Sequence, residues 1–219
     1  MKIKVAIIIL SATTALTALA ESGDSSSALL AALSSPNFET RRSAAIELHK
    51  LGDNSGVPLM IEAMSTLTNE TERNNAVVAL RVMKDPRAIP ILMRTTSDSS
   101  AYVRAISLAA LGELTATNAY DTLIAHLDDI EDFGGCTPMC PGDSSCYALG
   151  ALGNMNAIPH LIKALDQERT QSQACQALEK LTGESFRYDA EMWKKWWSKQ
   201  ETQQAGPAYP PQGVGSADP

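Results

Sequence analysis

The sequence predicts an all-α protein, a right-handed α-solenoid of about five helix pairs closed by a C-terminal tryptophan-rich helix. Three observations predict it. The stretch Val103 to Leu114 places Arg104, Ser107, Ala110, Leu111 and Gly112 at helical spacing, one face of a helix closed by a glycine. Arg42, Arg73 and Arg104 recur at an even spacing of about 31 residues, the period of stacked helix pairs. Met192, Trp193, Trp196 and Trp197 form a last apolar stripe near the C-terminus. The open end of a stack needs such a cover, because its final repeat has no neighbour.

The first twenty residues stand apart from this pattern. Lys2 and Lys4 precede an apolar run from Val5 to Leu10, and Ala18, Leu19 and Ala20 come just before Glu21. A positive start, a short apolar core and an A-x-A end make a secretory signal peptide. The apolar part is too short, and too diluted by Ser11, Thr13, Thr14 and Thr17, for a membrane anchor. The expectation is an exported protein, periplasmic or secreted, with no membrane insertion after cleavage. With 18 Lys and Arg against 25 Asp and Glu, the chain carries a formal net charge of −7. Losing the leader makes it more negative. Nucleic acid is excluded as a partner, since phosphate binding needs clustered cations. A chain that is 44% hydrophobic and 20% charged has the apolar content to fold.

The pairs follow in order. Ser25 to Leu33 is a short helix, and Pro36 opens a second that runs through Ala45, Leu48 and Leu51 to a stop at Gly52. Gly56-Val-Pro-Leu-Met starts the next pair, whose second helix spans Glu70 to Met83. Pro86 and Pro90 mark the start of the third, and Asp98 is read as the cap of the helix that carries Arg104. The fourth pair starts at Asn118, but its second helix is delayed by an insert from Ile130 to Asp143. The register resumes with Ser145 in the place of the arginine and Gly153 in the place of Gly112. A fifth pair runs from Ala157 to Leu181, with Gln171 at the arginine position and Gly183 ending it. The divisions expected are a signal peptide over 1–20, a repeat domain over 21–183 with its insert at 130–143, a capping helix over 184–200 and a disordered tail over 201–219. The tail, AGPAYPPQGVGSADP at its end, has too little apolar surface to pack.

These residues resemble the HEAT-repeat superfamily, in particular the short bacterial kind found in phycobilin lyases. There a proline-marked first helix packs on an arginine-led second. The resemblance rests on Arg42, Arg73 and Arg104 with VPLM at Val57, AIPIL at Ala88 and AIPHL at Ala157, and covers about Ser27 to Gly183. Asp121 replaces the proline of the fourth copy. The closing segment LTGESFRYDAEMWKKWW is similar to the end of many exported bacterial HEAT-repeat proteins. The resemblance implies position-zero arginines that bond neighbouring turns. Its enzymatic members imply motifs that this chain lacks. The iron-dependent hydroxylases use His-Glu pairs, yet His49 precedes Lys50, His126 precedes Leu127 and His160 precedes Leu161. The DNA glycosylases need a basic surface, and the bilin lyases act inside the cell, which the leader opposes. No catalysis and no cofactor are therefore expected.

Cys136, Cys140, Cys146 and Cys175 all lie in the downstream half. In an oxidising compartment an even count predicts two disulfides with three possible pairings. A Cys146 to Cys175 bridge would staple adjacent repeats and contribute roughly 3.5 kcal/mol by chain entropy, against about 2 for a local Cys136 to Cys140 loop. The C-x3-C-x5-C spacing lacks paired zinc knuckles, so no metal site is expected. Asp128, Asp129, Glu131 and Asp132 lack the spacing of a calcium loop and read as a solvated acidic edge. The insert is a candidate for the partner-binding feature, through Phe133, Met139 and the neighbouring Tyr147. The function expected is a monomeric scaffold or adaptor for an unidentified protein partner. The alternative is a thiol-redox or metal-binding sensor built on the cysteine insert.

Overall fold

The computed structural model describes residues 25–132 and 140–204. The leader at 1–20, Phe133, Cys136, Met139 and residues 205–219 lie outside the described residues. Among those described there are eleven α-helices and no strand. Helices α1 (Ser25–Ala32) and α2 (Phe38–Lys50) make the first pair, and α3 (Gly56–Thr66) and α4 (Glu70–Met83) the second. The third pair is α5 (Ile89–Thr95) and α6 (Ala101–Glu113), and the fourth is α7 (Tyr120–Ala125) and α8 (Pro141–Leu152). Helices α9 (Ile158–Ala164) and α10 (Glu168–Thr182) complete the fifth, and α11 (Ala190–Gln204) packs against both. Successive second helices α2, α4, α6, α8 and α10 lie side by side, so the pairs stack into an α-solenoid with one continuous apolar core.

Local signals explain the starts. Asn37, one residue after the expected proline, caps α2 by accepting from the Thr40 amide at 3.0 Å, and Asn69 caps α4 by accepting from Glu72 at 3.2 Å. In the third and fifth pairs a single 3-10 turn, Pro86–Ala88 or Met155–Ala157, precedes the short first helix, with Pro90 and Pro159 in its first turn. Asp98 does not cap α6. The N-cap is Ser100, whose amide Asp98 accepts at 2.8 Å while its carboxylate faces Arg73. The reason is that Asp98 is a receptor for the previous repeat.

The arginine ladder is offset by one residue at its beginning. Arg73 reaches back to the Thr68 carbonyl at 2.8 Å and forward to both oxygens of Asp98 at 2.9 and 3.0 Å. Arg104 does the same, to the Asp98 carbonyl at 3.0 Å and to Asp129 at 2.8 and 3.1 Å. In the first pair it is Arg41 that reaches back, to Ser35 at 2.7 Å, whereas Arg42 pairs with Glu39 in its own helix. Gln171 repeats the backward bond with its amide, to Leu165 at 3.2 Å. The acidic stretch is therefore not a free solvated edge: Asp129 and Glu131 hold Arg104, and Asp132 pairs with Arg169 at 3.1 Å.

Burial alone raises the Asp129 carboxyl, but the hydrogen bonds and charge of Arg104 outweigh it and the net shift is downward. A depressed carboxylate contributes stability that is present above its unfolded pKa, near pH 4, and lost as pH falls through the folded value. Arg104→Met is expected to cost roughly 2 kcal/mol at neutral pH, because it leaves a partly buried carboxylate without its partner. Urea unfolding at pH 7 and pH 3 checks this: the gap between variant and native chain should narrow in acid.

The two glycines at the same repeat position do different jobs. Gly153 ends α8 at φ 71°, the left-handed cap expected. Gly112 does not end its helix. A Cβ there would lie 2.5 Å from Ala148 Cα, so its role is to let α6 and α8 touch.

Candidate functional site

The insert returns to the stack earlier than its length suggests. Pro141, Gly142 and Asp143, read from sequence as loop, form the first turn of α8, and the Gly142 amide donates to the Asp129 carbonyl at 2.8 Å. From Cys140 to Gly150 every side chain is buried except Tyr147, which is 44% exposed. Buried with them is an unusual set of polar groups. Asp143 is 5% exposed, Ser144 2% and Ser145 0%. Asp143 accepts from the Cys140 amide at 3.1 Å through Oδ2. Its Oδ1 and the hydroxyls of Ser144 and Ser145 are buried with no hydrogen-bond partner. Buried polar groups are nearly always paired, so three in one helical turn mark this turn out.

A depression of about 250 Å³ opens over this turn, lined by Arg81, Ala109, Asp143, Ser144, Tyr147 and Gln173. These residues come from α4, α6, α8 and α10, so it crosses the second-helix face over four repeats. Arg81 binds Glu113 through two nitrogens, at 2.8 and 2.5 Å. Burial pushes the Asp143 carboxyl up, with the Cys140 amide, the Cys140 thiol and the charge of Arg169 acting against it. Asp143 and Ser144 were not singled out from the sequence as site residues. The available signal was GDSS at the start of a helix whose remaining positions are apolar, and only contacts across repeats show that the turn is buried.

The other sequence candidates are dispersed. Cys140, Cys146 and Cys175 are free and buried, so the expected pair of disulfides is absent among the described residues. Cys146 and Cys175 sit in the apolar core, where they act as small hydrophobes, and Cys140 is the N-cap of α8. Burial raises all three thiols, Cys146 most strongly, which keeps them protonated and unreactive. No group of three or more His, Cys, Asp or Glu among the described residues is placed to hold a metal. No helix among them is long and apolar enough to cross a membrane. Trp193 is fully buried, and Trp196 and Trp197 are half-buried beside it.

Residues 57–133 match the family of HEAT repeats, and residues 147–167 match the PBS lyase HEAT-like repeat. Over those residues the chain carries HEAT-like repeats, the later stretch of the phycobilin-lyase type. No curated protein matches it. Among solved structures, the complex of CpcE and CpcF of phycocyanin lyase from Nostoc sp. PCC7120 is similar. The TM-score is 0.58 and the identity 26%, over 78% of this chain and 68% of that chain. This neighbour overturns the expectation of a chain without catalysis, because the same fold serves an enzyme there. Missing His-Glu pairs speak only to hydroxylases, the acidic charge only to DNA glycosylases, and the leader concerned location and not chemistry.

Proposed function

We propose that this HEAT-repeat scaffold is exported and binds a protein partner on its second-helix face. The observation that carries the reading is Tyr147, the one exposed side chain on the buried part of α8, standing at the depression that crosses four repeats. Exposed aromatic anchors beside a pocket are the usual centres of binding energy in protein interfaces. The similar solved structure is a complex of two chains, which supports a protein partner. Export rests on the composition of residues 1–20.

The test is capture from an extracytoplasmic fraction with the immobilised chain and two variants. Tyr147→Arg places a charge at the anchor, and Leu51→Arg changes an exposed apolar residue at the far end of α2. A partner retained by the native chain should be reduced at least tenfold by Tyr147→Arg and unchanged by Leu51→Arg. Equal capture by all three would end this reading.

A second reading is favoured by Asp143. A buried carboxyl with a raised pKa that lines a pocket is the kind of group that holds or moves a proton. Joined to the lyase neighbour, it makes a catalytic assembly the alternative role of the same face.

A further inference from the structure

We infer that the depression over the first turn of α8 receives the ammonium group of a lysyl side chain from the partner. Asp143 Oδ1, Ser144 Oγ and the Gln173 amide oxygen would be its acceptors. The inference rests on the second-helix face being the partner-binding face.

The argument starts from what is unpaired. Asp143 Oδ1 and Ser144 Oγ are both buried without a partner, and both residues line the depression. Gln173 lines it from α10. An ammonium carries three donors and no acceptor, which matches a depression lined by three residues that can each offer an acceptor oxygen. The charges around the depression point the same way. Each nearby guanidinium is already matched, Arg81 by Glu113 and Arg169 by Asp132. Lys84 stands 3.7 Å from Glu113 with its side chain mostly in solvent. Asp143 is the lining carboxylate with no ion pair among the described residues, Arg169 acting on it only through its charge.

An anion does not fit. The start of α8 already has its own carboxylate, Asp143, at the position where a helix N-terminus would attract one, and the amides of Cys140 and Gly142 are taken. A space of about 250 Å³ suits one long side chain. Tyr147 at its rim offers an aromatic face for the methylene stem or the cation itself. The net charge of −7 attracts a basic partner from a distance.

The experiment is an amide-resolved NMR titration of the full chain with a capped pentapeptide that has one lysine between alanines. The same peptide with norleucine, and n-butylammonium chloride, are the other probes. Saturable shifts at Ser144 and Tyr147 are expected with the lysine peptide, and at least tenfold weaker binding with norleucine. Asp143→Asn should abolish the lysine preference, and Ser144→Ala should weaken binding several-fold, both with native circular dichroism. Should Asp143→Asn fail to fold, Ser144→Ala carries the test alone.

Absence of saturating shifts, or equal binding of norleucine, overturns the inference. Binding of n-butylammonium as tight as the peptide overturns the lysyl source and assigns the pocket to a free amine. If Tyr147→Arg abolishes partner capture while the lysine peptide does not bind, the binding face stands and the ammonium pocket fails. If the peptide binds and capture ignores Tyr147, the pocket stands and the partner face fails.

Discussion

Trp193→Ala is expected to lower the stability of the C-terminal repeat by about 3 to 5 kcal/mol, the cost of emptying a buried tryptophan site. Trp193 is completely buried, donates from Nε1 to the Arg187 carbonyl at 3.2 Å and meets Phe186 edge-on at 4.8 Å. Trp196 packs on it at 5.8 Å, so its removal loosens an aromatic chain and not one contact. What then holds α11 to the stack is Ala190, the half-buried Trp196 and Trp197, and the Lys194 to Asp166 ion pair at 2.8 Å, which is largely exposed and worth little. In a stacked-repeat protein each unit leans only on its neighbours, so the loss should stay local. Urea unfolding followed by tryptophan fluorescence should show an earlier transition for the variant. Limited proteolysis should cut first at Lys194 and Lys195. Trp193→Phe keeps a ring and loses the hydrogen bond, and should cost about 1 kcal/mol more than nothing and far less than alanine. A single transition unmoved in both variants would show that α11 does not cap the stack.

Gly112→Val is the second large effect, because α6 and α8 are in backbone contact there. A Cβ at this position would stand 2.5 Å from Ala148 Cα and 2.7 Å from its Cβ, and neither atom belongs to a flexible side chain. Overpacking of this kind costs typically 1 to 3 kcal/mol and more when backbone must move, so about 3 kcal/mol or more is expected for valine. The contrasting variant is Gly153→Ala. Nothing lies within 4 Å of its would-be Cβ, and the cost is only that of holding alanine at φ 71°, roughly 1 to 2 kcal/mol. The comparison separates two uses of glycine that look alike in sequence. The Gly112 variant should also disturb Tyr147, since Ala109 on α6 lines the same depression, and the Tyr147 amide shift reports it. Equal destabilisation by both changes would contradict the close approach.

Much of the architecture was legible in the residues. The period, the prolines of the third and fifth pairs and the second helix from Glu70 to Met83 follow from local chemistry, and the structure has them where they were expected. Three readings failed for one common reason. Arg42 fits the even spacing, yet Arg41 makes the bond, because one residue of slack before α2 moves the side chain that faces the preceding turn. The four cysteines suggested bridges, yet Cys146 and Cys175 serve as core filler. The insert suggested a surface loop through Asp143, yet its last residues begin a buried helix.

By itself the sequence determined that this protein is a stack of helix pairs. Helical spacing, caps and glycine stops act over three or four residues, and the repeat multiplies the same local signal. Only the tertiary structure decided which glycine packs and which one ends a helix, which arginine crosses to the next repeat and which polar turn lies buried beneath the second-helix face. Those outcomes depend on distances between residues 25 or more positions apart, as for Arg104 and Asp129 or Gly112 and Ala148. No local pattern carries such distances, because they are set by how closely one helix can approach the next.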